Sequence, residues 1–272
     1  MSKNIFSFCN QKGGVGKTTS VINIAACLSQ WDKKVLVIDA DPQGNATSGL
    51  GSDKPSLEST TYQLFVDNSN PGALIRKTSI ENLDLIPSNA DLAGVELELV
   101  EKENREFCLK KQLELIAGSY DYVLIDCPPS LGLISVNSLV SSDYLIIPLQ
   151  CEYYALEGLG QLLNTYHLIK QNLNSHLEIG AVILTMADFR TNLTQQVIEE
   201  VRGYFKEKAF KTVIPRSVKL SEAPSFGKPA VFYDPQNKGS KSYTEVAREF
   251  MAAFQSSRKA EGAEPPMKSS SD

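Results

Sequence analysis

The sequence lacks any long uninterrupted apolar run, and its first residues carry neither the apolar core nor the cleavage site of a secretory signal peptide. We therefore expect a cytoplasmic protein that does not cross a membrane. An excess of positive charge is also missing, because 27 Lys and Arg residues face 32 Asp and Glu residues and the net charge is −5. Composition alone thus gives no reason to expect nucleic-acid binding, which would have to rest on a local basic patch.

Cysteine is scarce, and its spacing does not suit metal binding. The five cysteines are odd in number, widely separated and include no C-x-x-C pair. This pattern favours buried thiols in a reducing compartment over a disulfide framework or a metal site. The residues concerned are Cys9, Cys27, Cys108, Cys127 and Cys151.

Short apolar segments alternate with segments of helical period along the chain. Most of the apolar segments are continuously apolar, which is typical of strands covered on both faces. The predicted strands are NIFSFC, KVLVID, NLDLIP, DYVLID, DYLIIPL and IGAVILT. The predicted helices are 18–31, 90–101, 105–117, 133–141, 156–171 and 193–206. This order predicts an α/β fold in which a mostly parallel central β-sheet is flanked by helices on both faces.

A last helix and a polar tail complete the predicted organisation. Apolar side chains recur at spacings of three and four at Tyr243, Val246, Ala247, Phe250, Met251 and Phe254. We expect one domain over residues 1–254. Residues 255–272 are polar and rich in serine and proline, so they are predicted to be a disordered tail. This tail has no amphipathic stripe, which counts against a membrane-binding helix.

The segment NQKGGVGKTTS, residues 10–20, ends like a phosphate-binding loop. It follows a predicted strand and opens a predicted helix, where backbone N–H groups can surround anionic oxygens. The glycines at positions 13, 14 and 16 leave room for that approach. Lys17 is expected to lie along the β and γ phosphates of a nucleotide, and the hydroxyl of Thr18 is expected to bind Mg²⁺. We therefore predict a single-domain P-loop NTPase fold.

Three acidic residues follow predicted strands and are candidates for binding the metal or orienting the attacking water. The carboxyl ends of parallel strands meet at one edge of a sheet, which is where ligands bind. Asp126 ends the segment YVLID and is expected to hold Mg²⁺, directly or through water. Asp39 and Asp41, in IDADPQG, alternate onto the same side, so either could face the γ-phosphate, and Asp39 is a further candidate for the metal site.

A second lysine in the loop distinguishes it from the usual phosphate-binding pattern. That pattern has glycine at position 11, whereas this chain has Gln11 followed by Lys12. Two lysines converging from one loop would repel each other. Lys12 could instead point toward a facing subunit, and in a two-fold dimer each Lys12 would reach the other chain's nucleotide, as an arginine finger does. The alternative is a solvated surface lysine.

The chain resembles a known group of proteins in several motifs. KGGVGKTT resembles the deviant Walker A motif, K-G-G-x-G-K-[ST]-[ST], of the ParA/MinD group of P-loop ATPases. The further segments IDADPQGNATSGLG, DYVLIDCPPSLG, LTMADFRTNL and IPRSVKLSEAPSFGKP are similar to the chromosomal ParA proteins, also called Soj. The resemblance runs from about residue 3 to residue 254, and these later segments are more specific than the loop.

The resemblance implies a dimer that encloses ATP and Mg²⁺ between its subunits. Lys12 would then act on the partner's nucleotide, Asp41 would activate the attacking water, and Gly13 would lie at the dimer interface. Ser217 departs from the asparagine that family members usually carry in the nucleobase loop, and its shorter hydroxyl could hydrogen-bond the base or ribose. The residues implied to bind the nucleotide are Lys12, Gly13, Gly14, Val15, Gly16, Lys17, Thr18, Thr19, Pro215, Arg216 and Ser217.

The resemblance also implies DNA binding without sequence preference, at Arg190 and at Lys219, where the family usually has arginine. Residues 186–250 carry 11 Lys and Arg against 8 Asp and Glu, although the whole chain is negative. This balance by itself favours an ordinary solvated face, but two copies in a dimer would form a phosphate-binding surface. The implied activity is slow ATP hydrolysis stimulated by a centromere-binding partner of the ParB/Spo0J type, in chromosome or plasmid segregation on the nucleoid.

Two other classes of protein share the deviant loop. A MinD-like ATPase that positions a membrane or protein cargo would carry a basic amphipathic helix at its end, which EGAEPPMKSSSD does not provide. A nitrogenase iron protein would need cysteines placed to bridge two subunits with a cluster, and the five cysteines show no such pattern. The partitioning ATPase is therefore the favoured interpretation.

Overall fold

The computed structural model describes residues 4–54, 57–66, 70–152 and 155–261. Over these residues the chain forms a seven-stranded sheet with the strand order β3-β4-β2-β5-β1-β6-β7. Every neighbouring pair is parallel except β3 with β4, which is antiparallel. The strands are β1 (Ile5–Phe8), β2 (Val35–Asp39), β3 (Arg76–Lys77), β4 (Leu83–Ile86), β5 (Tyr122–Asp126), β6 (Tyr144–Gln150) and β7 (Glu178–Thr185).

Eleven α-helices are found among the described residues, most of them in the connections between strands. Six are long or medium in length: α1 (Lys17–Gln30), α5 (Cys108–Ile116), α6 (Leu133–Ser141), α7 (Ala155–Asn172), α8 (Asn192–Phe205) and α11 (Lys238–Glu261). Five are short: α2 (Asn45–Gly49), α3 (Tyr62–Val66), α4 (Val95–Glu98), α9 (Val218–Glu222) and α10 (Ala230–Tyr233).

The sheet separates two apolar cores, one on each face. The core on one side contains buried residues of α1 and α11, and the core on the other contains residues of α5, α6, α7 and α8. Strands β2, β4, β5 and β6 are buried along their whole length, because helices cover both of their faces. The predicted α/β fold, with a mostly parallel sheet between two layers of helices, is therefore confirmed.

The apolar stripe predicted near the end of the chain packs against the middle of the sheet. Phe250 and Phe254 on α11 contact Phe6 on β1, with ring centroids 4.9 and 4.8 Å apart. Phe254 also contacts Tyr144 on β6, and Phe250 contacts Tyr122 on β5. Aromatic rings of this size bury a large apolar area. The contacts hold α11 along the same face of the sheet as α1.

Some predicted elements differ from the observed ones. The segment predicted as a helix over 90–101 is a 3-10 turn, Ala90–Gly94, followed by α4, which ends at Glu98. The predicted helix 105–117 begins and ends in 3-10 turns, so that α5 itself is shorter. Strand β3 was missed because it is only two exposed, charged residues long, and the short helices are too brief to show a period.

The last helix extends past the predicted end of the domain, and the domain boundary itself stays a prediction. Helix α11 continues to Glu261, past residue 254 and into the segment predicted to be a tail. Residues 262–272 lie outside the described residues, so the disorder expected there stays a prediction. All five cysteines are free and buried, as expected of packed thiols. Within the described ranges, no helix is both long and apolar enough to cross a bilayer.

The strand order brings the predicted motifs to one edge of the sheet. In register, Asp126 at the end of β5 lies between Phe8 at the end of β1 and Asp39 at the end of β2. Strand β6 ends at Gln150, beside Thr185 at the end of β7. Because these strands are parallel, the segments that follow them all emerge on the same side of the molecule.

Candidate nucleotide site

The loop between β1 and α1 has the backbone that its glycines predict. Gly14 and Gly16 have φ angles of 73° and 87°, which an L side chain rarely adopts. Gly16 precedes α1, which begins at Lys17 without a side-chain cap, so its first N–H groups receive no acceptor from a capping side chain. The hydroxyl of Thr185, at the end of β7, donates to the carbonyl of Val15 at 2.8 Å and fixes the loop from outside.

The surface of this loop is partly open. Gly13 and Gly14 are exposed, whereas Val15 is buried and Thr19 is half-buried in the first turn of α1. A Cβ added at Gly13 would meet Pro129 at an ordinary 3.8 Å, and one at Gly14 would meet nothing within 4 Å. Space within the chain therefore does not require glycine at position 13. Its predicted place at a dimer interface stays a prediction.

Lys17, Thr18 and Asp126 converge behind the loop. Lys17 is only 6% exposed, and its Nζ lies 3.4 Å from the carbonyl oxygen of Lys12. The hydroxyl of Thr18 donates to Oδ2 of Asp126 at 2.6 Å. The sequence predicted this convergence, because the Thr18 hydroxyl and the Asp126 carboxylate were both assigned to the metal.

The surroundings of Asp126 suit a carboxylate that binds a cation. Its Oδ1 is buried and has no hydrogen-bond partner among the described residues. Burial, and then the nearby charge of Asp39, raise the pKa of Asp126 well above its usual range. A buried carboxylate with an unsatisfied oxygen is costly unless a cation or donor reaches it. A hydroxyl and a carboxylate are also the ligands that Mg²⁺ prefers, so these residues fit that ion.

Asp39 is held by its own loop. Its Oδ2 accepts hydrogen bonds from both the N–H and the hydroxyl of Thr47 at 2.7 Å, and its Oδ1 accepts from the N–H of Asp41 at 3.2 Å. Burial raises the pKa of Asp39 to about 6, although the Thr47 hydrogen bonds oppose the shift. Both oxygens are thus in use, which makes Asp126 the better ligand. The role of Asp39 at the metal stays a prediction.

Asp41 lies at the start of the loop after β2 and is 7% exposed. Its Oδ1 accepts a hydrogen bond from the N–H of Gln43 at 2.9 Å, and its carbonyl accepts from Gly44 at 2.8 Å. These bonds fix the turn, while the other carboxylate oxygen accepts no hydrogen bond from the described residues. The position suits a residue that orients a water, and this role stays a prediction.

Lys12 pairs with a residue that the sequence reasoning missed. Its Nζ lies 3.3 Å from Oε2 of Glu152, just past β6, and the Lys12 side chain is 37% exposed. The same carboxylate receives Nη2 of Arg216 at 3.3 Å and the amide of Gln150 at 2.5 Å. Glu152 therefore joins the phosphate loop to the predicted nucleobase loop. The only signal for it in sequence is an acid following a strand.

The predicted nucleobase loop is fixed to its neighbours. Pro215 forms a parallel bridge with Ala187, and the hydroxyl of Ser217 donates to Oδ1 of Asn237 at 2.9 Å. Ser217 thus contacts the segment that precedes α11. The structure brings this loop to the same end of the sheet as the phosphate loop, and contacts with a base stay a prediction.

Both residues predicted to bind DNA are engaged in ion pairs. Arg190 donates Nε and Nη2 to the two oxygens of Asp188, at 2.8 and 2.6 Å. Lys219 lies 2.8 Å from Glu222 and 5.4 Å from the ring centre of Tyr233. Arg190 is nevertheless highly exposed, with 87% of its side chain accessible.

Comparison with known proteins decides between the classes that share this loop. Residues 3–179 match the family described as AAA domain. The sporulation initiation inhibitor protein Soj of Bacillus subtilis is 55% identical over 248 residues, which cover 91% of this chain and 98% of that protein. The chromosome-partitioning ATPase Soj of Treponema pallidum is 49% identical, over 90% of this chain and 96% of its own length. The chain belongs to the Soj/ParA family of partitioning ATPases.

A solved structure supports the same fold and cofactor. The cobyrinic acid a,c-diamide synthase of Mycobacterium smegmatis with bound ADP and magnesium has a TM-score of 0.82 and 34% identity, and the match covers 94% of this chain and 97% of that one. In that protein this fold binds a nucleotide with Mg²⁺. The Soj/ParA chain has residues that fit the same pair of ligands. It belongs to the P-loop ATPases. The resemblance stated from sequence is therefore confirmed.

Proposed function

We propose that this Soj/ParA chain works as an ATP-dependent switch on DNA. Two chains enclose two ATP molecules, the dimer binds duplex DNA without sequence preference, and hydrolysis releases it. A centromere-binding partner of the ParB/Spo0J type stimulates a slow intrinsic hydrolysis, which places the protein on the nucleoid during chromosome or plasmid segregation. The observation that carries the proposal is the buried Asp126, which has an unsatisfied oxygen beside the Thr18 hydroxyl and the buried Lys17.

Different residues of one chain would bind the phosphates, the metal and the attacking water. Lys17 would neutralise the β and γ phosphates from within the loop, and Thr18 with Asp126 would hold Mg²⁺. When bound, Mg²⁺ supplies positive charge where the phosphate oxygens gain negative charge. Asp41 would hold the attacking water by accepting a hydrogen bond from one of its O–H groups. Phosphoryl transfer depends mainly on this positioning and charge stabilisation.

Lys12 would complete the site of the partner subunit. In the single chain it pairs with Glu152 across 3.3 Å at a partly exposed surface. Such pairs contribute little to stability, so a triphosphate of the partner can displace the carboxylate at small cost. The dimer would then exchange an ion pair within each chain for one between chains, and dimerisation would depend on the γ-phosphate.

The test of the switch is co-sedimentation with DNA of unrelated sequence, in the presence of ATP, ADP or no nucleotide, at two salt concentrations. We expect retention only with ATP, and less of it at the higher salt. Equal retention in all three nucleotide states would contradict the proposal. Retention on anionic vesicles instead of DNA would favour a MinD-like ATPase that positions a membrane or protein cargo.

The test of the dimer mixes two inactive variants. Lys12→Ala lacks the lysine given to the partner, and Asp41→Ala lacks the residue that orients water in its own site. In a mixed dimer one site combines the intact Asp41 of the first chain with the intact Lys12 of the second. We expect the mixture to regain part of the wild-type hydrolysis rate. No recovery, despite proven mixed dimers, would mean that Lys12 acts within its own chain.

A further inference from the structure

A recess outside the nucleotide site carries three cations from two separate elements. It lies between the segment after β7 and the first turn of α11, and it has a volume of about 570 Å³. We call it the basic recess. Its charged residues are Asp188, Arg190, Lys238 and Lys241, which give three positive charges against one negative charge.

The cations of the basic recess differ in their partners. Arg190 is held by both oxygens of Asp188 in a fork-to-fork pair, the strongest geometry for an exposed ion pair. Lys238 and Lys241 are exposed, and neither amine lies within ion-pair distance of a carboxylate in the described part of the chain. They are three residues apart on one helix, so their side chains lie on the same face. The free positive charge of the recess therefore comes from these lysines.

Hydrogen bonds hold the two sides of the basic recess together. The N–H of Arg216 donates to the carbonyl of Ala187 at 3.1 Å, just before Asp188. Oδ1 of Asn237, next to Lys238, accepts from the N–H of Gly239 at 2.8 Å and from the hydroxyl of Ser217 at 2.9 Å. The segment 215–217 thus joins both sides, and it is the segment predicted to contact the nucleobase. The cations are presented on a fixed frame.

We propose that Lys238 and Lys241 bind phosphates of duplex DNA, and that Asp188 restrains Arg190 until a DNA phosphate takes its place. The inference rests on the proposed DNA-binding function and adds its contact residues and its restraint. A phosphate offers the same two-oxygen face as a carboxylate, so it can accept the guanidinium in the same geometry. The lysines have no carboxylate to give up, and their contact brings the phosphate backbone to Arg190.

Duplex DNA suits the basic recess better than a membrane surface does. Lys238 and Lys241 project from α11, whereas Arg190 projects from a loop, so the charges surround a concave surface. A membrane-surface helix instead places its cations and its apolar residues along a single helix. A bent arrangement of fixed cations matches a curved phosphate backbone, which carries regularly spaced negative charge.

The first experiment removes the unpaired lysines. Lys238→Ala/Lys241→Ala is compared with Lys110→Ala/Lys111→Ala on α5, which removes the same charge elsewhere, and each is measured as an ATP-loaded dimer of the full chain. Counterion release predicts about an eightfold loss of DNA affinity per lost contact at 0.1 M salt, and a salt slope shallower by about 0.9 per contact. We expect these losses in the first pair only. Equal binding by both pairs would overturn the assignment.

The second experiment releases Arg190. Asp188→Asn keeps the oxygen that accepts the N–H of Arg190 at 3.1 Å, so the turn can persist without the negative charge. We expect DNA affinity to rise on the order of tenfold and the salt slope to steepen by about 0.9 per chain. When Arg190 is already replaced by Ala, Asp188→Asn should raise the DNA affinity much less. An unchanged affinity for Asp188→Asn would overturn the restraint.

The controls separate this inference from the function on which it rests. If wild-type protein fails to bind DNA with ATP, the proposed function is wrong. If wild type binds and the recess variants bind equally well, only the inference is wrong. Phosphatidylglycerol vesicles form a parallel arm, and loss of vesicle binding with unchanged DNA binding would also overturn it. Lys238→Gln/Lys241→Gln repeats the test should the alanine pair not fold.

Discussion

The nucleotide end of the sheet and the basic recess differ in how their charged side chains are buried and paired. At the nucleotide end, Asp39 and Asp126 are fully buried and are held by hydrogen bonds of 2.6 to 3.2 Å from Thr47, Asp41 and Thr18. In the recess, Arg190 is exposed and paired with its near neighbour Asp188. A buried charge tolerates few geometries because desolvation is costly. An exposed pair can change partners at a smaller cost than a buried one.

This difference suits the two regions to different ligands. The buried acids can act only on a ligand that enters their fixed geometry, which suits a nucleotide and its metal. In the exposed pairs, an anion of another molecule can replace the carboxylate. This suits a long polyanion. The pair of Lys12 with Glu152 is also of the exposed kind, since both side chains are partly exposed, although it lies beside the buried acids. The following changes test this division, beginning with the largest expected effect.

Lys17→Ala should lower ATP hydrolysis by at least two orders of magnitude, because it removes the buried cation that we propose neutralises the phosphates. Dimerisation with ATP should be lost as well. Steady-state hydrolysis and light scattering measure the two effects. Lys111→Ala, which removes an exposed lysine from α5, serves as the matched control and should behave like wild type. Hydrolysis within tenfold of wild type would show that Lys17 does not hold the phosphates.

Asp41→Ala should lower hydrolysis by roughly 10²- to 10⁴-fold, the range for loss of a positioned base, while leaving the ATP dimer on DNA. Asp39→Ala should differ, because it leaves the N–H and hydroxyl of Thr47 without an acceptor and should cost about 1–3 kcal/mol of unfolding free energy. Hydrolysis assays and chemical denaturation distinguish the two variants. Normal turnover by Asp41→Ala would transfer the water-orienting role to Asp39 or another group.

Glu152→Gln should make dimerisation easier, because Lys12 no longer has to leave a charged partner in its own chain. The ATP concentration for half-maximal dimerisation should fall about two- to fivefold, which corresponds to the usual strength of an exposed ion pair. Glu245→Gln, which removes an exposed carboxylate paired with Arg248 on α11, is the control. A requirement for more ATP in Glu152→Gln would mean that Glu152 assists the dimer rather than holding Lys12 back.

The smallest expected effect is that of pH on the basic recess. Arg190 lowers the pKa of Asp188 to about 2 through its hydrogen bonds. A depressed carboxyl pKa means that the pair is fully formed above the ordinary value and weakens only as pH falls toward 2. The gain in DNA affinity of Asp188→Asn should therefore be the same at pH 6, 7 and 8. A gain that changes across this range would require another titrating group in the recess.

Local patterns accounted for most of the fold and for the centre of the site. Apolar segments, most of them continuous, predicted six of the seven strands, because strands buried on both faces have few polar side chains to interrupt them. The glycines and the lysine of the phosphate loop carry their chemistry within a few residues. Asp126 could be assigned because it directly ends a predicted strand, and the carboxyl ends of parallel strands meet at the edge of the sheet where ligands bind.

The missed features depend on contacts that no local sequence pattern indicates. Thr47 could not be assigned to Asp39, because it lies on a five-residue helix with no detectable period. Glu152 could not be assigned to Lys12, which is 140 positions away in the chain. The pairing of Arg190 with Asp188 is local, but its importance depends on Lys238 and Lys241, which only the packing of α11 brings near.

The sequence by itself determined the class of fold, the phosphate loop and the acids that end the strands, because short-range periodicity and backbone freedom encode these directly. The tertiary structure decided which charges are satisfied and which remain available. An electrostatic partner is set by distance and burial in three dimensions, and neither can be read from position along the chain. For that reason candidate residues of the nucleotide site could be proposed from sequence, whereas the unpaired lysines beside Arg190 could not.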